Sequence, residues 1–175
     1  PKRFNKVLDI NHCLLQSDNA NLLLKEISDL TSQLKLKPYS TTDHQGFWRF
    51  LVIREGMNTG ELMGNIITSS QEPDDGKKAI DWIVHKLFWR QPKLTTFLHS
   101  VSDQKAQVAF GKTERLLLGF GKISERLGEC VYDISANAFF QTNTKQAEVL
   151  FNTIMELADL SGSEIVYDLY CGTGA

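Results

Sequence analysis

The run Asp168-Leu169-Tyr170-Cys171-Gly172-Thr173-Gly174-Ala175 carries more structural information than any other segment of this chain. Directly before it, Glu164 to Tyr167 form a short β-prone run, so the segment reads as a buried strand feeding a glycine turn. An acidic residue at a strand's carboxyl end, followed by Gly-x-Gly, is how a doubly wound sheet presents backbone to a nucleoside-bearing ligand. Gly172 and Gly174 permit positive φ and close approach, because neither carries a Cβ. The pattern falls short of the Gly-x-Gly-x-x-Gly dinucleotide fingerprint and has no Lys-Ser/Thr of a phosphate loop. An ordinary strand-to-turn junction of an α/β protein is the plainer alternative.

Upstream of this run the period is helical. Ala147, Leu150, Phe151, Ile154, Leu157 and Ala158 fall on one face from Asn143 onward, with Asn143 as the cap, Gln146 three residues on, and Gly162 just past the end. The change of period puts a domain boundary near Ile134. Residues 1–134 then form an α+β domain of antiparallel strands with helices, and residues 135–175 begin an α/β (Rossmann-like) domain that is cut after its first strand.

Within the first domain, Val7 to Leu15 reads as a β segment, and Asp18 or Asn19 can cap the helix that follows. Leu23, Ile27, Leu30 and Leu34 recur at helical spacing until Pro38. Phe47 to Arg54 and Glu61 to Thr68, separated by the Gly56 to Gly60 turn, predict a hairpin. A polar stretch from Ser69 to Gly76 leads into a helix over Lys77 to Phe88. Further strands are expected at Leu94 to Val101, Arg115 to Phe120, Lys122 to Leu127 and Glu129 to Ser135.

The chain's 175 residues and 42% hydrophobic content suit one globular domain plus the start of another. A net charge of −2 supplies no overall basic field for a polyanion. Cys13, Cys130 and Cys171 are far apart, without a Cys-x-x-Cys pair, which predicts neither a disulfide framework nor a zinc or iron–sulfur site and suits a reducing cytoplasm. Cys13 and Cys130, in expected strands, read as core residues, and Cys171 as a loop residue packed under its turn. No membrane span or leader is expected, and Pro1-Lys2-Arg3-Phe4 reads as an internal start.

Two linked motifs narrow the reading. Ala138-Phe139-Phe140-Gln141-Thr142-Asn143 precedes the last helix, and Asp-Leu-Tyr-Cys-Gly-x-Gly follows it. This order resembles the RNA uracil-5-methyltransferase family, especially its 23S ribosomal RNA branch. Tyr170 adds to the likeness, since methyltransferase loops in general have glycine there and this family an aromatic. Phe50 to Thr68 resembles the family's central domain less specifically.

The resemblance implies a class I methyltransferase domain that uses S-adenosylmethionine and forms 5-methyluridine in 23S rRNA. A tRNA enzyme of the same family, a central domain that only binds or orients RNA, and a methyltransferase with a non-RNA substrate are the alternatives. It implies that Gln141 lies beside cofactor and flipped base, that Tyr170 touches the cofactor, and that Asp168, Gly172 and Gly174 line the same pocket. The nucleophilic cysteine and the base are expected beyond this segment, so no catalytic residue is assigned and the fragment alone is expected to be inactive. Phe139 and Phe140 can stack on a base or pack on opposite sides of the chain. Arg49, Arg54 and Lys93 are possible phosphate contacts or members of a solvated face, and the four histidines show no ligand spacing.

Overall fold

The computed structural model describes residues 10–71, 73–91 and 93–171. The segment from Ile10 to Gln16 forms no strand, while the rest of the expected Val7–Leu15 strand lies outside the described residues. Its backbone is clasped locally instead. The Cys13 N–H donates to Asn21 Oδ1 at 2.8 Å, and Asn21 Nδ2 donates to the Cys13 carbonyl at 3.0 Å. Helix α1 (Asp18–Ser32) is capped by Ser17, whose side chain accepts from the Ala20 N–H at 3.1 Å. Neither Asp18 nor Asn19 is the cap, because both lie inside the first turn. The helical spacing holds, with Ala20, Leu23, Ile27 and Leu30 buried.

Strands β1 (Trp48–Glu55), β2 (Leu62–Thr68), β3 (Leu94–Val101) and β4 (Thr113–Leu118) form one sheet in that order. The expected β1–β2 hairpin is present, with Glu55 opposite Leu62. The all-antiparallel arrangement is not: β2 and β3 pair in parallel, and helix α2 (Pro73–Arg90) makes the connection between them. Parallel neighbours need a long crossover, which α2 provides. β2 is buried at every position, as suits a strand covered on both faces. α2 starts one turn before the expected Lys77, since Pro73 is compatible with a helix's first turn and Asp74 and Asp75 favour its positive end.

The sheet has an apolar core on each face. On one, Leu62 and Ile66 of β2 and Phe97 of β3 meet Leu23 and Ile27 of α1 and Ile80 and Ile83 of α2. Gly64 sits beneath the Phe97 ring, where a Cβ would come within 2.7 Å of a ring carbon, so only glycine lets the aromatic lie flat against β2. On the other face, Met63 and Leu98 meet Ile123, Ile134, Ala136 and Phe140. Ile123 and Ile134 come from the antiparallel pair β5 (Lys122–Leu127) and β6 (Cys130–Ser135).

Helix α3 (Thr144–Ala158) begins at the expected cap: Asn143 Oδ1 accepts from the Gln146 N–H at 3.2 Å. It ends at Asp159 in the left-handed conformation, φ 45° and ψ 48°, and not at Gly162. Of its expected apolar face only Ala147 is buried, together with Thr144, while Leu150, Ile154 and Leu157 are exposed. The run Glu164–Tyr167 is not a strand. Ile165 and Val166 are exposed, and no strand among the described residues pairs with them, so their β-branched character has no ladder to join. Among the described residues no helix is long and apolar enough to cross a membrane.

Candidate functional site

The Phe-Phe-Gln segment is where core and surface meet. Phe140 turns inward onto the sheet, its ring centroid 5.6 Å from that of Tyr132, while Phe139 turns outward and is 75% exposed. The two rings therefore serve different environments. Gln141 and Thr142 follow, exposed, and Asn143 starts α3.

These residues form one rim of a cleft of about 740 Å³. Its opposite wall is β1, through Val52 and Arg54, with Met57 from the following turn. Ile123 and Ile134 form its apolar floor, and Leu14 and Leu15 its outer lip. Strand alternation explains the wall: Arg54 opposes Met63 in register, so both lie on the sheet face that carries Phe140. Leu14 and Leu15 are 90% and 97% exposed, which leaves the mouth open and partly apolar.

Arg54 is the notable polar group of this cleft. Its Nε is buried and has no hydrogen-bond partner, and burial pulls its guanidinium pKa below the usual arginine value. Arg49, on the same strand, is used differently. Its Nη1 donates to the Ser102 carbonyl at 2.7 Å and its Nη2 to the Gln104 carbonyl at 2.6 Å, with its guanidinium 4.1 Å from the Tyr39 ring centroid. Arg49 thus ties the loop after β3 to β1, and Lys93 is exposed.

Glu125 fixes the geometry behind the cleft, a role that the sequence reading missed. It is 1% exposed, yet its carboxylate accepts from the Met57 N–H at 2.7 Å, the Asn58 N–H at 3.0 Å, the Arg126 N–H at 2.8 Å and Thr144 Oγ1 at 2.8 Å. One side chain therefore joins the β1–β2 turn, β5 and the first turn of α3. Thr59 Oγ1 donates to the Ser124 carbonyl at 2.6 Å, and Glu61 accepts from the Ser124 N–H at 2.7 Å, reinforcing the same seam. The alternation of Ile123, Glu125 and Leu127 in β5 is the signal that could have found it, since it places a carboxylate on the inward side.

Among the described residues singled out by sequence for the methyl donor, Gln141 alone lines this cleft. Asp168 and Tyr170 are exposed and outside it, and Gly172 and Gly174 lie outside the described residues. Tyr170 adopts φ 72°, an uncommon conformation for a non-glycine residue, and its ring is fully exposed. Cys13 is half-buried and in no strand, and Cys130 and Cys171 are exposed, so none is a core residue. Among the described residues no group of three His, Cys, Asp or Glu could hold a metal ion. His99 is kept neutral: burial, with a smaller contribution from Arg115, lowers its pKa to about 4, and its Nε2 lies 2.8 Å from Thr68 Oγ1. A second, larger cleft of about 880 Å³, between the chain after α1 and α2, holds none of the described residues of the two motifs.

No family model matches the chain. Over 99% of its length it is 38% identical to an Uncharacterized RNA methyltransferase of Chlorobaculum tepidum, covering 35% of that protein. A second Uncharacterized RNA methyltransferase, from Halalkalibacterium halodurans, is 32% identical over 99% of the chain, which covers 37% of it. The chain therefore spans little more than a third of these curated relatives. Among solved structures, the Pyrococcus abyssi tRNA (uracil-54, C5)-methyltransferase in complex with S-adenosyl-L-homocysteine matches with a TM-score of 0.70 at 28% identity, over 87% of this chain and 36% of that one. The homologues of this chain are thus RNA methyltransferases, and its α+β fold with a mixed sheet is that of a segment of a solved methyltransferase.

Proposed function

We propose that this chain is part of an S-adenosylmethionine-dependent RNA methyltransferase that forms 5-methyluridine, with 23S ribosomal RNA as its substrate in the cytoplasm. The observation that carries the reading is the placement of Gln141: it stands at the rim of an open cleft, beside an inward Phe140 and an outward Phe139, in a chain similar over nearly its whole length to RNA methyltransferases. An amide both donates and accepts, which matches the edge of a uracil. An exposed ring nearby offers a stacking surface to a base taken out of its helix.

We assign Asp168, Tyr170, Gly172 and Gly174 to the methyl-donor side of the site and Gln141 to its border with the base. Among the described members of this set Gln141 lies in the cleft and Asp168 and Tyr170 lie outside it, so the fit of the described residues to the donor is partial. When bound, the donor supplies an electrophilic methyl group. Carbon 5 of uridine is a weak nucleophile, so the reaction calls for a thiolate that adds to carbon 6 and, once carbon 5 has taken the methyl, a base that removes the carbon 5 proton so that the carbon 6–sulfur bond breaks and the thiolate leaves. We assign both to parts of the enzyme beyond this segment, and predict that residues 1–175 alone are inactive. In this reading residues 1–134 orient the RNA and residues 135–175 open the donor-binding domain.

A tRNA substrate is the second reading, favoured by the likeness of this fold to a tRNA (uracil-54, C5)-methyltransferase. Mapping 5-methyluridine in ribosomal and transfer RNA from cells with and without the gene tests both. Loss at a 23S position supports the first reading and loss in tRNA the second, while an unchanged map contradicts both.

A further inference from the structure

The cleft beside Gln141 contains a cation that no hydrogen bond or ion pair among the described residues employs. Among the described residues, Arg54 donates no side-chain hydrogen bond and forms no ion pair, although its Nε is buried. Arg49, on the same strand, shares the buried, unpartnered Nε but places both Nη atoms on carbonyl oxygens, which is what a structural arginine looks like here. Folding leaves a guanidinium half-desolvated and unpaired only where something else supplies the anion, because burying an uncompensated charge is costly.

We infer that Arg54 is a phosphate contact: its guanidinium neutralises a backbone phosphate of the RNA strand whose uridine enters this cleft. The inference rests on the RNA methyltransferase reading above. Three neighbours in one cleft match three parts of a nucleotide: the outward Phe139 ring for the base face, the Gln141 amide for the base edge, and Arg54 for the phosphate. The competing anion is the carboxylate of the methyl donor, but Asp168 and Tyr170, assigned to the donor, lie outside this cleft. With a net charge of −2 the chain has no general basic field, so a few placed cations must supply its phosphate contacts.

The test uses the full-length enzyme, a short labelled oligouridine and, separately, S-adenosyl-L-homocysteine. Affinity for the oligouridine is measured from about 50 to about 200 mM salt. Arg54→Gln is expected to reduce the slope of log affinity against log salt by about 0.7, the value for one phosphate contact on a single strand. Arg54→Lys should keep that slope, and neither change should alter S-adenosyl-L-homocysteine binding. Arg54→Met should unfold at the wild-type temperature or above it, because an unpaired buried cation does not stabilise the free protein. An unchanged slope, a loss of donor-analogue binding instead, or early unfolding of Arg54→Met would overturn the role while leaving the RNA methyltransferase reading intact. A wild-type enzyme that binds neither probe would overturn that reading, and this inference with it.

Discussion

Two carboxylates, Glu125 and Glu164, each gather several hydrogen bonds, and the difference between them separates the packed sheet region from the exposed segment 161–171. Glu125 is 1% exposed and joins three elements through four accepted bonds. Glu164 is exposed and accepts from the Ser161 N–H, Ser161 Oγ and the Gly162 N–H, all within its own turn. Similar local chemistry has opposite structural weight. The Glu125 carboxylate is shut off from water and its bond from Thr144 is buried, whereas Glu164 and its donors lie in water. The seam behind the cleft is therefore fixed by long-range contacts, and the segment from Ser161 to Cys171 by short-range ones.

Breaking the seam should have the largest effect. Glu125→Ala leaves the Met57, Asn58 and Arg126 N–H groups and Thr144 Oγ1 without their acceptor, and is expected to destabilise the protein by about 3 kcal/mol or more in denaturant unfolding. Gly64→Ala drives a methyl into the Phe97 ring and should cost about 1–3 kcal/mol by overpacking. Thr144→Val removes a single bond of the seam and should cost about 1 kcal/mol, with much of that loss absent in a Glu125→Ala background.

Acid sharpens the contrast. His99 has a folded-state pKa of about 4 against an ordinary 6.5, so its neutral form contributes stability that is fully present above 6.5 and lost as the pH falls toward 4. His99→Gln should flatten the stability profile across that window. Hydrogen bonds from Ser161 hold the Glu164 carboxyl down to about 2 from 4.5, so its local turn persists as the pH falls from 4.5 and opens near 2. Because Glu164 lies in water, Glu164→Gln should leave the global unfolding midpoint unchanged. The smallest expected effect is that of Tyr170→Ala on stability, which should be undetectable.

What the sequence disclosed follows the same division. β3 and β5 fall on their expected residues, and α3 starts at its expected cap, because turn glycines, period and capping are encoded within a few residues. The parallel pairing of β2 with β3 was not legible from segment patterns, since a strand's partner is chosen by the crossover and by burial on both faces. Glu164–Tyr167 has a strand's composition but no neighbour among the described residues, and composition alone forms no ladder. At the site, the Phe-Phe-Gln order marked the rim of the cleft. Its wall at Arg54, its lip at Leu14 and Leu15 and its brace at Glu125 come from distant segments that meet only on folding.

The central claim is that the cleft edged by Gln141 receives the uridine that becomes methylated. Its most direct test is complementation of a strain lacking the gene with the full-length gene carrying Gln141→Ala, read by mapping 5-methyluridine in its RNA beside a strain restored with the unaltered gene. The expected result is a position methylated in the restored strain and unmethylated with Gln141→Ala, at equal protein abundance. Full methylation by Gln141→Ala would contradict the account.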